Sequence, residues 1–124
     1  MIKVVLAIGA GSFIGGVLRY LVSQLMTTKF PAAFPFGTLT VNILGCLLIG
    51  LFFGLGERSG ISQEWKLFIT TGLLGGFTTF SAFSNETVGM LRDGQIVYAL
   101  LYIGGSIIIG ILATLGGIMV SKVF

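Results

Sequence analysis

The sequence contains no histidine, a single cysteine and few charged residues. The lack of histidine excludes a zinc site and a Ser-His-Asp triad. Cys46 alone cannot form an intramolecular disulfide. Lysine and arginine number 7 and aspartate and glutamate 4, so only 9% of the residues are charged, whereas a soluble domain has about a quarter. So few charges cannot cover a surface exposed to water, and the composition therefore indicates a membrane protein.

Motifs of catalysis and of nucleic-acid binding are missing as well. The chain has no Gly-Lys-Ser/Thr phosphate loop and no pair of carboxylates placed for acid–base chemistry. Its basic residues are scattered singly, mostly near the ends of apolar segments, where lysine and arginine contact lipid headgroups. We therefore expect neither an enzyme nor an organic cofactor, and the net charge of +3 does not indicate nucleic acid as a partner.

Long apolar segments dominate the chain, of which 55% is hydrophobic. A bilayer core about 30 Å thick needs roughly 20 helical residues. Four segments are long enough to cross it, at about 4–26, 35–56, 66–91 and 95–122. Arg19 interrupts the first segment and no small-x-small cleavage site follows it, so we expect a membrane span there and not a signal peptide. The prediction is an all-α membrane protein, with a single four-helix domain over residues 1–124.

The distribution of lysine and arginine favours one orientation only weakly. Four spans place both termini on the same side of the membrane. That side would hold Lys3, Arg58, Lys66 and Lys122, and the opposite side Lys29 and Arg92. Cytoplasmic loops carry an excess of basic residues. Four basic residues on the side of the termini, against two on the opposite side, mildly favour cytoplasmic termini. The difference is small enough to allow the chain to insert in both orientations.

The third segment contains a stretch, residues 72–86, that does not suit a simple spanning helix. Three glycines and a Thr-Thr-Phe-Ser run lie where leucine, isoleucine and valine would be usual. Backbone freed by a break at this depth needs partners within the protein or in a wet cavity, since lipid offers none. We predict a helix broken over residues 75–78 near the middle of the span, with carbonyl oxygens free to hold a small cation and an ion passing beside it.

Glycines also occur in pairs four residues apart, a spacing that lets membrane helices approach closely. The pairs are Gly11 with Gly15, Gly50 with Gly54, and Gly72 with Gly76. Close packing within one chain is the plainer interpretation. Four helices are, however, barely enough to enclose a pathway, and a two-fold homodimer would supply eight.

Two polar residues in the first two spans are candidates for function. Arg19 lies about 15 residues into the first segment, where it would either enrich anions at a vestibule or extend to the headgroups. Asn42 lies about two turns into the second span and carries two N–H donors. It would serve either as interhelical glue or as part of a binding site, with Thr38 on the same face.

Phe80 and Phe83 share a face of the third helix, since they are three residues apart. Core packing is one interpretation. In the other, the positive edges of the rings stabilise an anion, and Ser81 supplies a hydroxyl donor nearby. An ionised Glu86 would repel an anion, so we expect it to pair with a basic residue or to hold a donor in place. On the fourth segment hydroxyls form a weaker stripe, interrupted by glycine; its members are Tyr102, Ser106 and Thr114.

Three of these stretches together resemble the Fluc (CrcB) fluoride channels. They are Gly15–Tyr20 (GGVLRY), Phe36–Gly45 (FGTLTVNILG), and Gly72–Ser81 (GLLGGFTTFS) with Phe83. Their order, their spacing, the chain length and the four-span pattern also match, so the resemblance covers nearly the whole chain. Each motif alone is weak, but the three together are highly specific.

The resemblance implies an antiparallel homodimer in a bacterial inner (plasma) membrane, with two passive fluoride pathways per dimer. It implies that Asn42, Phe80 and Phe83 line each pathway. It also implies a central structural sodium ion at the subunit interface, held by backbone carbonyls of Gly75 and Thr78 from both subunits. Arg19 corresponds to the family's vestibule arginine. The other side chains expected along the pathway are Thr38, Ser81, Tyr102, Ser106 and Thr114.

The sequence departs from the family pattern at two positions and has one gap. Ala82 replaces a usual threonine, Cys46 a small residue such as serine, and Gly110 leaves a gap in the hydroxyl stripe.

Two other functions fit four spans. A small multidrug transporter would need a glutamate in the first span, and this one has no acidic residue. In a non-conducting accessory subunit, the glycines and phenylalanines would serve only for packing.

Overall fold

The computed structural model describes residues 1–30 and 34–124, without the side chains of residues 57 and 58. Its elements are all helical in the part described: α1 (Ile2–Lys29), α2 (Phe36–Ser59), α3 (Gln63–Leu67), a π-helix (Phe68–Leu74), α4 (Gly75–Phe77), α5 (Phe80–Arg92) and α6 (Ile96–Ser121). Within the described residues, four segments are long and apolar enough to cross a membrane: Ile2–Lys29, Phe36–Gly56, Gln63–Arg92 and Ile96–Ser121. The predicted all-α class with four such helices is confirmed.

Short turns with defined caps join the last three of these segments. Gly60 adopts a left-handed conformation (φ 69°) directly after α2, and the Ser62 hydroxyl accepts a hydrogen bond from the Trp65 amide, which caps α3. Gly94 (φ 76°) follows α5. Its amide bonds to the Leu91 carbonyl and the Gln95 amide to the Met90 carbonyl, which is a Schellman motif. These turns need glycine because other residues strain at positive φ.

The first span packs against the third through glycine. A Cβ added at Gly11 would lie 2.7 Å from the Leu73 amide nitrogen, and one at Gly76 would lie 2.7 Å from the Ser12 carbonyl oxygen. A Cβ on Gly15 would collide with the Leu73 carbonyl oxygen. Backbone therefore lies directly on backbone along this contact, which is the arrangement that small residues permit between membrane helices.

The second span packs against α6 in the same manner. A Cβ on Gly50 would collide with the Thr114 carbonyl oxygen, and a Cβ on Gly117 would lie 2.6 Å from the Leu51 amide nitrogen. Gly54 faces Ser121. All three predicted glycine pairs thus lie at contacts between helices of one chain, as the intrachain interpretation requires.

The backbone of the third span changes conformation four times. It runs from α3 through the π-helix into α4, after which Thr78 (φ −90°, ψ 160°) and Thr79 (φ −151°, ψ 120°) are extended, and α5 begins at Phe80. The sequence predicts an interruption over residues 75–78, whereas Gly75–Phe77 are helical and the extended residues follow them. Side-chain hydrogen bonds from a neighbouring helix determine this position, and glycine content does not reveal them.

Candidate functional site

Asn42 of α2 holds the extended part of the third span by two hydrogen bonds. Its Nδ2 donates to the Thr79 carbonyl oxygen at 3.0 Å, and its Oδ1 accepts from the Thr79 amide at 2.8 Å. The primary amide therefore binds both backbone groups of one residue, as a neighbouring strand would. Asn42 forms an interhelical contact, and its second Nδ2 hydrogen has no acceptor among the described residues.

Two backbone carbonyls lose their helical hydrogen-bond donors at this interruption. In a continuous α-helix the Thr79 amide would donate to the Gly75 carbonyl, and the Ala82 amide to the Thr78 carbonyl. Here the Thr79 amide donates to Asn42, and the Ala82 amide donates to the Thr79 hydroxyl oxygen at 3.2 Å. Gly75 and Thr78 are the two predicted sodium ligands. Their carbonyl oxygens are hard donors of the type that small cations prefer, so the residues present fit such an ion.

Arg19 of α1 contacts the same region from the other side. Its Nε donates to the Gly76 carbonyl oxygen at 3.1 Å, and the side chain is half-buried. In a continuous helix that carbonyl would accept from the Phe80 amide, and Phe80 is here the first residue of α5. The guanidinium thus replaces a donor that the interruption removes. The sequence predicts a place for Arg19 at a vestibule or at the headgroups, and this bond is neither of the two.

A cavity of about 410 Å³ lies beside the interrupted segment. Six of the residues predicted from the sequence line it: Asn42, Gly75, Thr78, Phe80, Phe83 and Ser106. The Oγ of Ser106 is buried and has no hydrogen-bond partner among the described residues. Since buried hydroxyls normally have a partner, this oxygen is suited to a ligand within the cavity. The wall thus combines an amide, hydroxyls, aromatic rings and carbonyls.

Aromatic rings continue from this cavity towards α6. The ring centroids of Phe80 and Phe83 are 5.7 Å apart, and those of Phe83 and Tyr102 are 4.9 Å apart. Tyr102 is fully buried, and its ring also packs edge-on against Phe34 at 5.5 Å. Phe80 is 78% exposed in the single chain, so one side of the row of rings lacks cover from this chain.

Glu86 joins three helices through its carboxylate. Its Oε2 accepts from the Thr38 hydroxyl of α2 at 3.0 Å, and its Oε1 accepts from the Tyr102 hydroxyl of α6 at 2.9 Å. Of the two expectations for this residue, the structure supports the holding of donors in place. Glu86 and Thr38 line a second cavity of about 490 Å³. An acid within an apolar span was the sequence signal for this cluster, although Glu86 was not among the predicted site residues.

The remaining predicted residues lie apart from the first cavity. Thr38 and Tyr102 belong to the Glu86 cluster. Ser81 is exposed, with its hydroxyl 3.2 Å from that of Thr79. Thr114 donates to the Gly110 carbonyl at 3.2 Å and packs beside α2. The fourth-helix hydroxyls therefore meet three different surroundings within one chain, and a shared track remains a prediction.

Comparison with known proteins adds a second line of observation. The chain matches the family described as "CrcB-like protein, Camphor Resistance (CrcB)" over residues 6–118. It is 46% identical over 121 residues to the "Fluoride-specific ion channel FluC" of Flavobacterium psychrophilum, covering 97% of this chain and 98% of that protein. It is 53% identical over 97 residues to the protein of the same name from Shewanella halifaxensis, covering 78% of each chain.

Proposed function

The chain belongs to the CrcB family, and from that membership we propose that it is a multi-pass membrane protein forming a fluoride-selective channel. It is not an enzyme. The observation that carries this conclusion is the similarity to fluoride-specific channels along nearly the whole chain, at 46% identity in the relative from Flavobacterium psychrophilum. A small multidrug transporter is disfavoured by the same similarity and by a first span without acidic residues.

The cavity beside the interrupted span has the chemistry that fluoride permeation needs. Fluoride is small and strongly hydrated, so a selective path must replace water by several donors without binding the ion too tightly to release it. The Asn42 amide, the Ser106 hydroxyl and the ring edges of Phe80 and Phe83 are such donors. None carries a formal charge that would trap the anion.

Other polar residues extend this proposed path. Thr38, Ser81, Tyr102 and Thr114 supply further hydroxyls along it, and Arg19 raises the local anion concentration at its vestibule. Fluoride enters cells as the neutral weak acid and is trapped as the anion. A channel in the bacterial inner membrane would release it passively, because the membrane potential drives anions outward.

The functional unit in this proposal is an antiparallel homodimer with two pathways. Phe80 is 78% exposed in one chain, and Gly75 is exposed as well, so a second copy would complete the wall around the rings. The weak bias in basic residues is compatible with insertion in both orientations. Each subunit contributes one four-helix domain.

A sodium ion at the centre of the dimer completes the proposal. The carbonyls of Gly75 and Thr78 are its ligands, since their usual helical donors bond elsewhere. When bound, the ion supplies a fixed positive charge that offsets the desolvation of fluoride. The residues of the chain provide the donors, the cavity wall and the geometry of the interruption.

The test is ion efflux from liposomes that contain the purified protein, measured with fluoride-selective and chloride-selective electrodes. We expect rapid fluoride release with chloride retained. Phe83→Ile removes a ring edge from the path. The loss of about 1.4 kcal/mol of ring–anion interaction should slow fluoride release about tenfold. Phe53→Ile, at an exposed position away from the cavity, is the matched control.

The outcomes separate the rival functions. No fluoride release from a well-folded dimer would overturn the channel and favour a non-conducting accessory subunit. Equal rates for Phe83→Ile and Phe53→Ile would leave a channel whose path runs elsewhere.

A further inference from the structure

Two side chains at the interruption of the third span divert amide hydrogens from the carbonyls that face the proposed ion. We infer that Asn42 and Thr79 are positioning residues for the sodium site, because they keep the Gly75 and Thr78 carbonyls from forming helical hydrogen bonds. This inference rests on the proposed function, which supplies the sodium ion. It gives Asn42 a second task, separate from contact with fluoride, and assigns a task to the Thr79 side chain.

Asn42 acts on the Gly75 carbonyl. The Thr79 amide has one hydrogen, and at 2.8 Å that hydrogen is directed to Asn42 Oδ1. The second bond, from Asn42 Nδ2 to the Thr79 carbonyl at 3.0 Å, fixes the orientation of the same residue. Thr79 is thereby held extended, with φ −151° and ψ 120°. Without Asn42, the amide would need another acceptor, and the Gly75 carbonyl is the one that α-helical geometry offers.

Thr79 acts on the Thr78 carbonyl. Its hydroxyl oxygen accepts from the Ala82 amide at 3.2 Å, which is the bond of an N-cap residue. The same amide would bond to the Thr78 carbonyl if α5 began one turn earlier. Hence the cap both starts α5 and leaves that carbonyl without its helical donor. The two side chains act on different carbonyls by the same principle, which is substitution of a side-chain acceptor for a backbone acceptor.

The helix before the interruption is held independently. The Thr78 amide donates to the Leu74 carbonyl at 3.0 Å, so helical bonding continues up to that residue. The Arg19 guanidinium occupies the Gly76 carbonyl. Loss of either acceptor at Asn42 or Thr79 should therefore affect the two carbonyls locally and leave α4 in place. This local effect makes the inference testable with a folded protein.

The experiment measures the melting temperature of the purified dimer as sodium chloride replaces N-methyl-D-glucamine chloride at constant ionic strength. An ion that binds the folded state raises its melting temperature, so we expect a rise for the parent. Asn42→Leu and Thr79→Val should need roughly five- to thirtyfold more sodium for the same rise, which corresponds to the loss of one or two net hydrogen bonds. Thr79→Ser keeps the cap and should behave as the parent.

A matched control makes the same chemical change elsewhere. Thr28→Val removes an exposed hydroxyl that bonds to the Gln24 carbonyl of its own helix, and it should keep the sodium dependence of the parent. Hydrogen exchange supplies a second measurement, because the amides of residues 79 and 82 should change their protection in the two variants. If Asn42→Leu does not form a folded dimer, the inference is tested by comparing the sodium dependence of the melting temperature in Thr79→Val and Thr79→Ser.

The outcomes distinguish this inference from the channel itself. Parent-like sodium dependence in folded Asn42→Leu and Thr79→Val would overturn the inference, even if fluoride efflux is lost. A melting temperature of the parent that is independent of sodium would also overturn it. In a third outcome, the parent responds to sodium, both variants lose that response, and the parent releases no fluoride. This result would support the positioning role and refute the proposed channel function.

Discussion

The contact between α2 and α6 and the middle of the third span show two ways to hold helices together in a membrane. Between α2 and α6, glycine lets backbone lie on backbone, as at Gly50 and Gly117. In the third span, the side chains of Asn42 and Arg19 bind backbone groups that an interrupted helix exposes. Close packing tolerates no added volume, whereas the interruption depends on particular donors and acceptors.

The difference teaches which region supports which task. The contact at Gly50 and Gly117 has regular helices on both sides and is made by backbone lying on backbone. At the interruption, the Gly75 and Thr78 carbonyls lack their helical donors, because the Thr79 and Ala82 amides bond to side-chain oxygens. A membrane protein can expose backbone only where other groups of the protein take up its hydrogen bonds. The irregular segment is held by backbone contact with α1 and by the Asn42 amide of α2.

The largest expected effect comes from adding volume to the glycine contact. A Cβ on Gly117 would collide with the Leu47 carbonyl oxygen and lie 2.6 Å from the Leu51 nitrogen, so backbone atoms would have to move. We expect Gly117→Val to lower the stability of the folded chain by about 3 kcal/mol, at the upper end for overpacking. Thermal unfolding in detergent, with the dimer fraction from size-exclusion chromatography, measures this.

The neighbouring glycine is the control. A Cβ added at Gly116 would meet no described heavy atom within 4 Å beyond the backbone of its own helix and its chain neighbours, so Gly116→Val should leave the melting temperature close to that of the parent. Similar losses in both variants would show that the contact of α2 with α6 does not depend on glycine.

An intermediate effect is expected at the polar interruption. Arg19→Met keeps the apolar stem and loses the bond from Nε to the Gly76 carbonyl. Hydrogen bonds from charged groups contribute about 1.5–3 kcal/mol, and we expect a loss near the lower end because an unfavourable burial of charge is also removed. Arg92→Met, at the exposed end of α5, should change the melting temperature little. If Arg19→Met and Arg92→Met have the same melting temperature, Arg19 does not stabilise the third span.

The smallest effect on stability is expected where the cavity has an unpaired hydroxyl. Ser106→Ala removes an oxygen without a hydrogen-bond partner in the described chain, so stability should change by less than about 0.5 kcal/mol. Fluoride efflux should slow by about two- to tenfold, the effect of one hydrogen bond. Ser84→Ala, at an exposed position on α5, should change neither quantity. A loss of stability comparable with that of Arg19→Met would make Ser106 a structural residue.

Much of the fold could be predicted from local sequence. Apolar segments of about 20 residues specify four helices, and Ser62 and Gly94 mark ends that depend on neighbouring residues alone. The spacing of Gly72 and Gly76 likewise indicated a close contact. Such features follow from composition and short-range geometry.

The site was less accessible from sequence because its bonds join distant residues. Asn42 and Thr79 are 37 positions apart, and Thr38 and Glu86 are 48 apart. Motifs identified Asn42 as a candidate, yet they did not show that its amide binds the Thr79 backbone. The bond of Arg19 to the third span is of the same kind. Single-sequence patterns name the polar residues of a span, and tertiary structure decides their partners.

The π-helix at Phe68–Leu74 has a consequence for angular phase. A π-helical turn contains about one residue more than an α-helical turn, and each residue of an α-helix advances about 100° around the axis. The side chains of α4 are therefore rotated by about one residue step from where a helical wheel begun at Gln63 would put them. A deletion of one residue within Phe68–Leu74 would turn α4 on its axis, and Gly76 would leave its place against α1.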